Sequence, residues 1–198
     1  MTRRRFLART ASAGTVVTAA MPSGTAWLAQ ITPHACTDSV TTQSRHSDLV
    51  DVHHHYATTE YIAEVHPKSP LSTAIQTWNL KKTLEEMEET GTATAILSIS
   101  SPGLWFGDPA VTRKIARNCN DYAARIVKND RKLFGAFAAM PPPKTEVSLK
   151  EIEYCLDVLK LDGIGLLTNY EGKYLGDASF APIFVELNRR KAVVYTTR

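Results

Sequence analysis

The residues best suited to chemistry lie together in the stretch Leu49-Val50-Asp51-Val52-His53-His54-His55-Tyr56. It reads as a strand running into a cluster of imidazoles. Side chains two apart on a strand share a face, so His53 and His55 are expected to project together while His54 turns away. Two neutral imidazoles held side by side by rigid backbone supply half of a first-row transition-metal site. A surface accident or a tag remnant can also produce three histidines in a row. Here the run is internal, it follows the apolar pair Leu49-Val50, and Asp51 stands two residues before His53. Asp-x-His-x-His closing a first strand is therefore read as a metal-binding motif with His53 and His55 as ligands.

The elements that must position this motif follow from periodicity. Leu80, Leu84 and Met87 recur at helical spacing and Gly91 closes the run, so a helix is predicted over 80–90. Thr94–Ile99 is a buried strand, and 109–129 a helix with Val111, Ile115, Cys119, Tyr122 and Ile126 on one face. Phe134–Ala139 is the third strand, stopped by Pro141-Pro142-Pro143. A helix over 147–160 turns Leu149, Ile152, Leu156 and Leu159 inward. Gly163–Leu167 is a fourth strand, followed by an Asn169-Tyr170-Glu171-Gly172 turn. A helix over 178–190 and a fifth strand, Ala192–Thr196, complete the series. The strands are continuously apolar, which implies a parallel sheet covered by helices.

Two loops carry further candidates. Ser100–Asp108 bears Trp105 and Phe106; in a parallel sheet this loop opens on the same face as His53 and His55, where both rings could wall a planar substrate or simply pack the loop. Residues 56–79 read as a long irregular connection of the kind that forms lids. His66 precedes Pro67, which disfavours the helical conformation, and is assigned to that loop rather than to a ligand set.

Composition narrows the classes. A chain of 198 residues with 43% hydrophobic content can bury one sizeable core, and its net charge of +3 is spread among 20 acidic residues. A nucleic-acid binder would concentrate basic charge on one stripe. Cys36, Cys119 and Cys155 have no C-x-x-C spacing, so no zinc ribbon or redox motif is indicated. Cys119 and Cys155 are expected to be buried small hydrophobes. No apolar run is long enough to span a membrane. Thr2-Arg3-Arg4-Arg5-Phe6-Leu7 resembles a twin-arginine consensus, and residues 1–29 are read as an export signal. The expected location is then the periplasm, or the cytoplasm if the leader is no signal. Residues 30–47, which contain His34 and His46, read as a polar linker ahead of a domain over 48–198.

The His-x-His strand, Leu97-Ser98-Ile99-Ser100-Ser101-Pro102-Gly103, Phe134-Gly135-Ala136-Phe137-Ala138-Ala139-Met140-Pro141, Asp162-Gly163-Ile164-Gly165-Leu166-Leu167-Thr168 and Leu175-Gly176-Asp177 follow one another in a telling order. Together they resemble the metal-dependent amidohydrolase superfamily. Within it they resemble the aminocarboxymuconate-semialdehyde decarboxylase branch, close to 6-methylsalicylate decarboxylase-like proteins. The resemblance implies the N-terminal part of a (β/α)8 TIM barrel, which when closed has eight strands and about 250 residues. It also implies a divalent metal, zinc first and manganese second, a small aromatic or unsaturated carboxylic acid as substrate, and a homodimer. Members of this branch place a His-Pro after the fifth strand as a further ligand; here Thr197-Arg198 stands there. Loss of one C from ACC-CAC-CCG would turn Thr-His-Pro into Thr-Thr-Arg, so the chain is expected to be truncated after the fifth strand. The catalytic acid would belong to later elements and is assigned to no residue of this chain. Three functions stay open: a decarboxylase, a hydrolase of the same superfamily, and a non-catalytic half-barrel that needs a partner.

Overall fold

The computed structural model describes residues 48–141 and 145–198. The twin-arginine leader, the linker, His34, Cys36, His46, Pro142 and Pro143 lie outside the described residues. In order, the elements are β1 (Leu49–Tyr56), α1 (Thr59–Val65), α2 (Thr73–Gln76), α3 (Leu80–Thr90), β2 (Thr92–Ile99), α4 (Pro109–Asn129), β3 (Phe134–Ala139) and α5 (Thr145–Glu153). A π-helical turn (Tyr154–Val158) extends α5; then come β4 (Gly163–Leu167), the short strands β5 (Asn169–Tyr170) and β6 (Lys173–Tyr174), α6 (Ala181–Arg190) and β7 (Val194–Thr197). The main sheet has five strands in the order β1-β2-β3-β4-β7. Every pairing in it is parallel. This is the curled half-barrel that the alternation of elements implies, with all strands delivering their carboxyl ends to one rim.

Local chemistry sets the boundaries. Asn79 caps α3 through its side chain, and Gly91 ends it at φ 70°, a conformation that costs glycine nothing. Asp108 caps α4 by accepting from the backbone of Ala110 and Val111, and Pro109 occupies the first turn, where its missing N–H is no loss. All six residues of β3 are buried, as a strand covered on both faces requires. At Gly163 an added Cβ would fall 2.6 Å from the Val193 carbonyl oxygen. The β4–β7 seam therefore closes only around a residue without a side chain.

Four expectations need correction. Residues 56–79 are not wholly irregular: Thr58 and Ser72 cap the short helices α1 and α2. His66 takes the right-handed helical conformation as the C-cap of α1 despite the proline after it. Leu84 is 38% exposed; the inward face of α3 is carried by Thr83 and Met87 instead. The last strand starts at Val194 rather than Ala192, because Lys191 ends α6 in the left-handed region and delays the extended backbone. Cys119 and Cys155 are buried free thiols, and burial pushes Cys119 up to about 12. Among the described residues no helix is long and apolar enough to cross a membrane.

Candidate metal centre

β1 carries the imidazoles in its carboxyl-end half. Its pairing with β2 runs Asp51↔Ala95 and then His54↔Leu97. Three steps along β1 thus answer two along β2, which is a bulge, and a bulge re-aims side chains. The extra residue brings Asp51 and His54 to one side, where Asp51 Oδ2 lies 3.0 Å from His54 Nδ1. His54 Nε2 is 3.3 Å from Thr83 Oγ1 on α3. Both His54 nitrogens are therefore occupied on the helix side. Asp51 Oδ1 also accepts from the His53 backbone N–H at 2.9 Å. Partial burial alone would raise the Asp51 carboxyl, but the hydrogen bond from His53 N–H and the His54 imidazole outweigh it, and the group sits below its ordinary 3.8.

His53 and His55 face the other way and converge. Their Nε2 atoms are 3.0 Å apart. His55 Nδ1 lies 3.1 Å from Ser98 Oγ and 3.4 Å from the Ser98 carbonyl oxygen. A donor role of Nδ1 toward that carbonyl fixes the tautomer whose lone pair is on Nε2. Burial first, and then the neighbouring His53, lower the His55 imidazole below its ordinary 6.5, so it is neutral at pH 7, the form that ligates. The pair fits a metal: at the usual zinc–nitrogen distance of about 2.0–2.1 Å, nitrogens this close can reach one ion together. Thr197 Oγ1, at the end of β7, is 3.4 Å from His53 Nε2. Among the described residues no group of three or more His, Cys, Asp or Glu side chains forms a fuller ligand cluster.

Two cavities open at this rim. One, of about 340 Å³, is lined by the three histidines together with Trp78, Lys82, Glu86 and Ser100. A larger one, of about 840 Å³, lies at the ends of β2, β4 and β7 and is lined by Trp105, Glu171, Tyr174, Thr196 and Arg198 among others. Trp105 Nε1 donates to Glu171 Oε1 at 2.7 Å, which ties the loop after β2 to the β5–β6 hairpin. Phe106 is not among the lining residues of this cavity. It is half-buried against the core, with Lys68 Nζ 5.7 Å from its ring centroid. His66 stays outside the cluster, its Nδ1 accepting from the Leu71 N–H at 3.4 Å. Sequence reasoning singled out neither Ser98 nor Trp78. The polar end of an apolar strand is the signal for Ser98; no motif marks Trp78.

A parallel α/β half-barrel with paired imidazoles at the carboxyl end of its first strand defines a class of metal-site proteins built on the TIM barrel. Residues 50–197 match the amidohydrolase family profile, and the chain belongs to that family. It is 38% identical over 154 residues to the decarboxylase macB of Penicillium terrestre, covering 74% of this chain and 46% of that protein. It is 37% identical over 154 residues to the 6-methylsalicylic acid decarboxylase of Penicillium expansum, covering 74% and 47%. The chain thus spans about half the length of the curated relatives it matches. Among solved structures, an amidohydrolase II superposes with a TM-score of 0.71 at 28% identity, over 75% of this chain and 49% of the other. A manganese-bound 5-carboxyvanillate decarboxylase from Novosphingobium aromaticivorans superposes at 0.66 with 23% identity, over 77% and 51%, and so shares the fold.

Proposed function

We propose that the protein is a metal-dependent carboxy-lyase acting on a small aromatic carboxylic acid, with His53 and His55 as two of its metal ligands. The observation that carries this reading is the 3.0 Å approach of the two Nε2 atoms at the strand end. Ser98 meets the second ring nitrogen of His55, and Asp51 accepts from the His53 backbone N–H. The family's named decarboxylases supply the reaction class. A bound divalent ion, zinc or manganese, would act as a Lewis acid that organises the substrate's oxygens. In the net reaction the ring carbon bearing the carboxylate gains a proton and carbon dioxide leaves. This chain's part is to orient: Ser98 holds the His55 tautomer, and the two-residue repeat of β1 aims His53 and His55 together. The rim cavities have the size and mixed lining that a single-ring acid requires. Catalytic sites of this kind use about three protein ligands, so the set is completed by a group other than these two histidines. Export through Arg3 and Arg4 is part of the same proposal, and replacing both by Lys should retain a fused reporter in the cytoplasm.

Zinc and manganese titrations, followed by carbon dioxide release from 6-methylsalicylate, test the reading. Metal binding should disappear when His53 and His55 are both replaced by Ala. Thr197→His, which offers a third imidazole beside His53, should tighten it. Metal binding unchanged in the double variant would overturn the ligand assignment. Ester or amide hydrolysis without carbon dioxide release would replace the lyase by a hydrolase.

A further inference from the structure

Of the two candidate ligands, His53 is the one that the sheet does not hold. β1 is the outer strand of the five. Its register against β2 passes from Asp51↔Ala95 to His54↔Leu97 and assigns no β2 partner to Val52 or His53, whereas His55 is paired with Ser98. A bulge leaves its extra residue outside the ladder in this way. The His53 N–H donates instead to Asp51 Oδ1 at 2.9 Å. The other oxygen of that carboxylate, Oδ2, is 3.0 Å from His54 Nδ1, and His54 Nε2 is 3.3 Å from Thr83 Oγ1. Thr83 stands on the inward face of α3 and is 1% exposed. A chain of hydrogen bonds therefore runs from a buried helix residue, through His54 and Asp51, to the backbone of His53.

We propose that Thr83 and His54 are positioning residues for His53: through Asp51 they hold the segment of β1 that β2 does not pair, and so hold the His53 ring beside His55 for a metal ion. The role rests on the ligand assignment made above. The chemistry of each member gives the chain one direction. An ionised carboxylate only accepts, so the His54 hydrogen lies on Nδ1 and points to Asp51. In that tautomer Nε2 accepts, and the Thr83 hydroxyl is its donor. Each polar group then has a partner that suits it, as a buried hydroxyl requires. Apolar side chains of the same shape could pack this flank at similar stability. They could not tie the His53 backbone to α3.

Two measurements on the full chain test this role, and the first needs no metal. Amide hydrogen exchange at His53 should quicken about tenfold in His54→Phe, which keeps a ring but neither hydrogen bond. It should quicken about fivefold in Thr83→Val, which loses one neutral hydrogen bond. Thr83→Ser keeps the hydroxyl and should exchange as wild type does. The second measurement is a cobalt(II) titration read by visible absorption, which reports coordination geometry. His54→Phe should bind cobalt about tenfold more weakly, the lower end for groups that orient ligands, and with an altered spectrum. Thr83→Ser should keep the wild-type spectrum. A residue that only packs would move the urea midpoint without moving the spectrum of the cobalt-loaded folded protein. Should His54→Phe fail to fold, the contrast between Thr83→Val and Thr83→Ser decides. Unchanged His53 exchange, or unchanged cobalt affinity and spectrum, in the folded variants would overturn the positioning role and leave the ligand assignment standing. No cobalt bound by wild type, or binding unaltered when His53 and His55 are both replaced by Ala, would overturn the ligand assignment and this role with it.

Discussion

The carboxyl end of β1 and the seam between α4, α5 and β3 both gather polar side chains, and they treat them in opposite ways. At the seam, Glu151 is 1% exposed. It accepts from the Arg117 guanidinium at 2.7 Å and from Asn120 Nδ2 at 2.9 Å. Asn120, wholly buried, also clasps the backbone of Ala139 at the end of β3, donating to its oxygen at 3.0 Å and accepting from its N–H at 2.7 Å. The Arg117 guanidinium lies 3.4 Å from the centroid of the Tyr154 ring. At β1, among the described residues, the two converging imidazoles meet each other, Ser98, a distant Thr197 hydroxyl and the edge-on Tyr195 ring. The seam uses up its hydrogen-bonding capacity to hold helices on the sheet; the strand end leaves two imidazole nitrogens facing one another. Stability and chemistry are thereby assigned to different residues.

Breaking the seam should have the largest effect. Glu151→Ala strands Asn120, Cys155 and Arg117 around a cavity, and removing one partner of a buried ion pair costs about 3–5 kcal/mol. Arg117 can regain water on its exposed side, so the lower end, about 3 kcal/mol, is expected from urea midpoints. Zinc binding per folded molecule should not change. The reverse pattern is expected when His53 and His55 are both changed to Ala. Folding stability should fall by only about 1 kcal/mol, because His53 is exposed and His55, half-buried, gives up one hydrogen bond to Ser98, while zinc binding disappears. A double variant that unfolds would show that the strand end carries structure after all.

A finer cut separates the imidazoles from what orients them. Ser98→Ala removes the hydroxyl beside His55 Nδ1 but leaves the Ser98 carbonyl in place. Loss of such outer-shell partners typically weakens metal binding by about 10–100-fold, and the lower end is expected here. Calorimetric zinc titration measures it directly.

Why some of this was visible in the sequence and some was not follows from what periodicity can see. The strands announce themselves because a sheet covered on both faces needs unbroken apolar runs, as Phe134–Ala139 shows. His53 and His55 were legible as a pair because a strand repeats every two residues. The bulge between Asp51 and His54 was not, since it adds a residue without any compositional mark; it gives Asp51 a side-chain partner in His54. Asn120 and Glu151 were invisible for a different reason. A periodicity argument counts apolar residues and assigns polar ones to solvent, yet these two are inward-facing because their partners come from other elements. Phe106 shows the converse, an aromatic in the right loop that packs on the core.

The smallest effect should come from an ion-pair network that shares the seam's chemistry but lies at the protein surface, with Glu186 and Arg190 partly exposed. On α6, Glu186 accepts from Arg189 at 2.7 Å and from Arg190 at 2.5 Å, and Arg190 also reaches Asp157 at 2.7 Å. The hydrogen bonds from Arg189 and Arg190 lower the Glu186 carboxyl from its ordinary 4.5 to about 2. A carboxyl lowered on folding stabilises the native state only while it is ionised there. Its contribution is therefore complete above pH 4.5 and is lost as the pH falls through 2. Glu186→Gln should flatten the stability profile within that acidic window and lower stability slightly at neutral pH, a small effect because pairs at the surface are screened and repay little of the side-chain entropy they cost. Raising the salt concentration should erase most of the difference between Glu186→Gln and wild type, whereas Glu151→Ala should stay destabilised at any ionic strength. Urea melts at several pH values and two salt concentrations make the comparison. A salt-insensitive loss at neutral pH in Glu186→Gln would mean that this surface cluster is part of the structural seam.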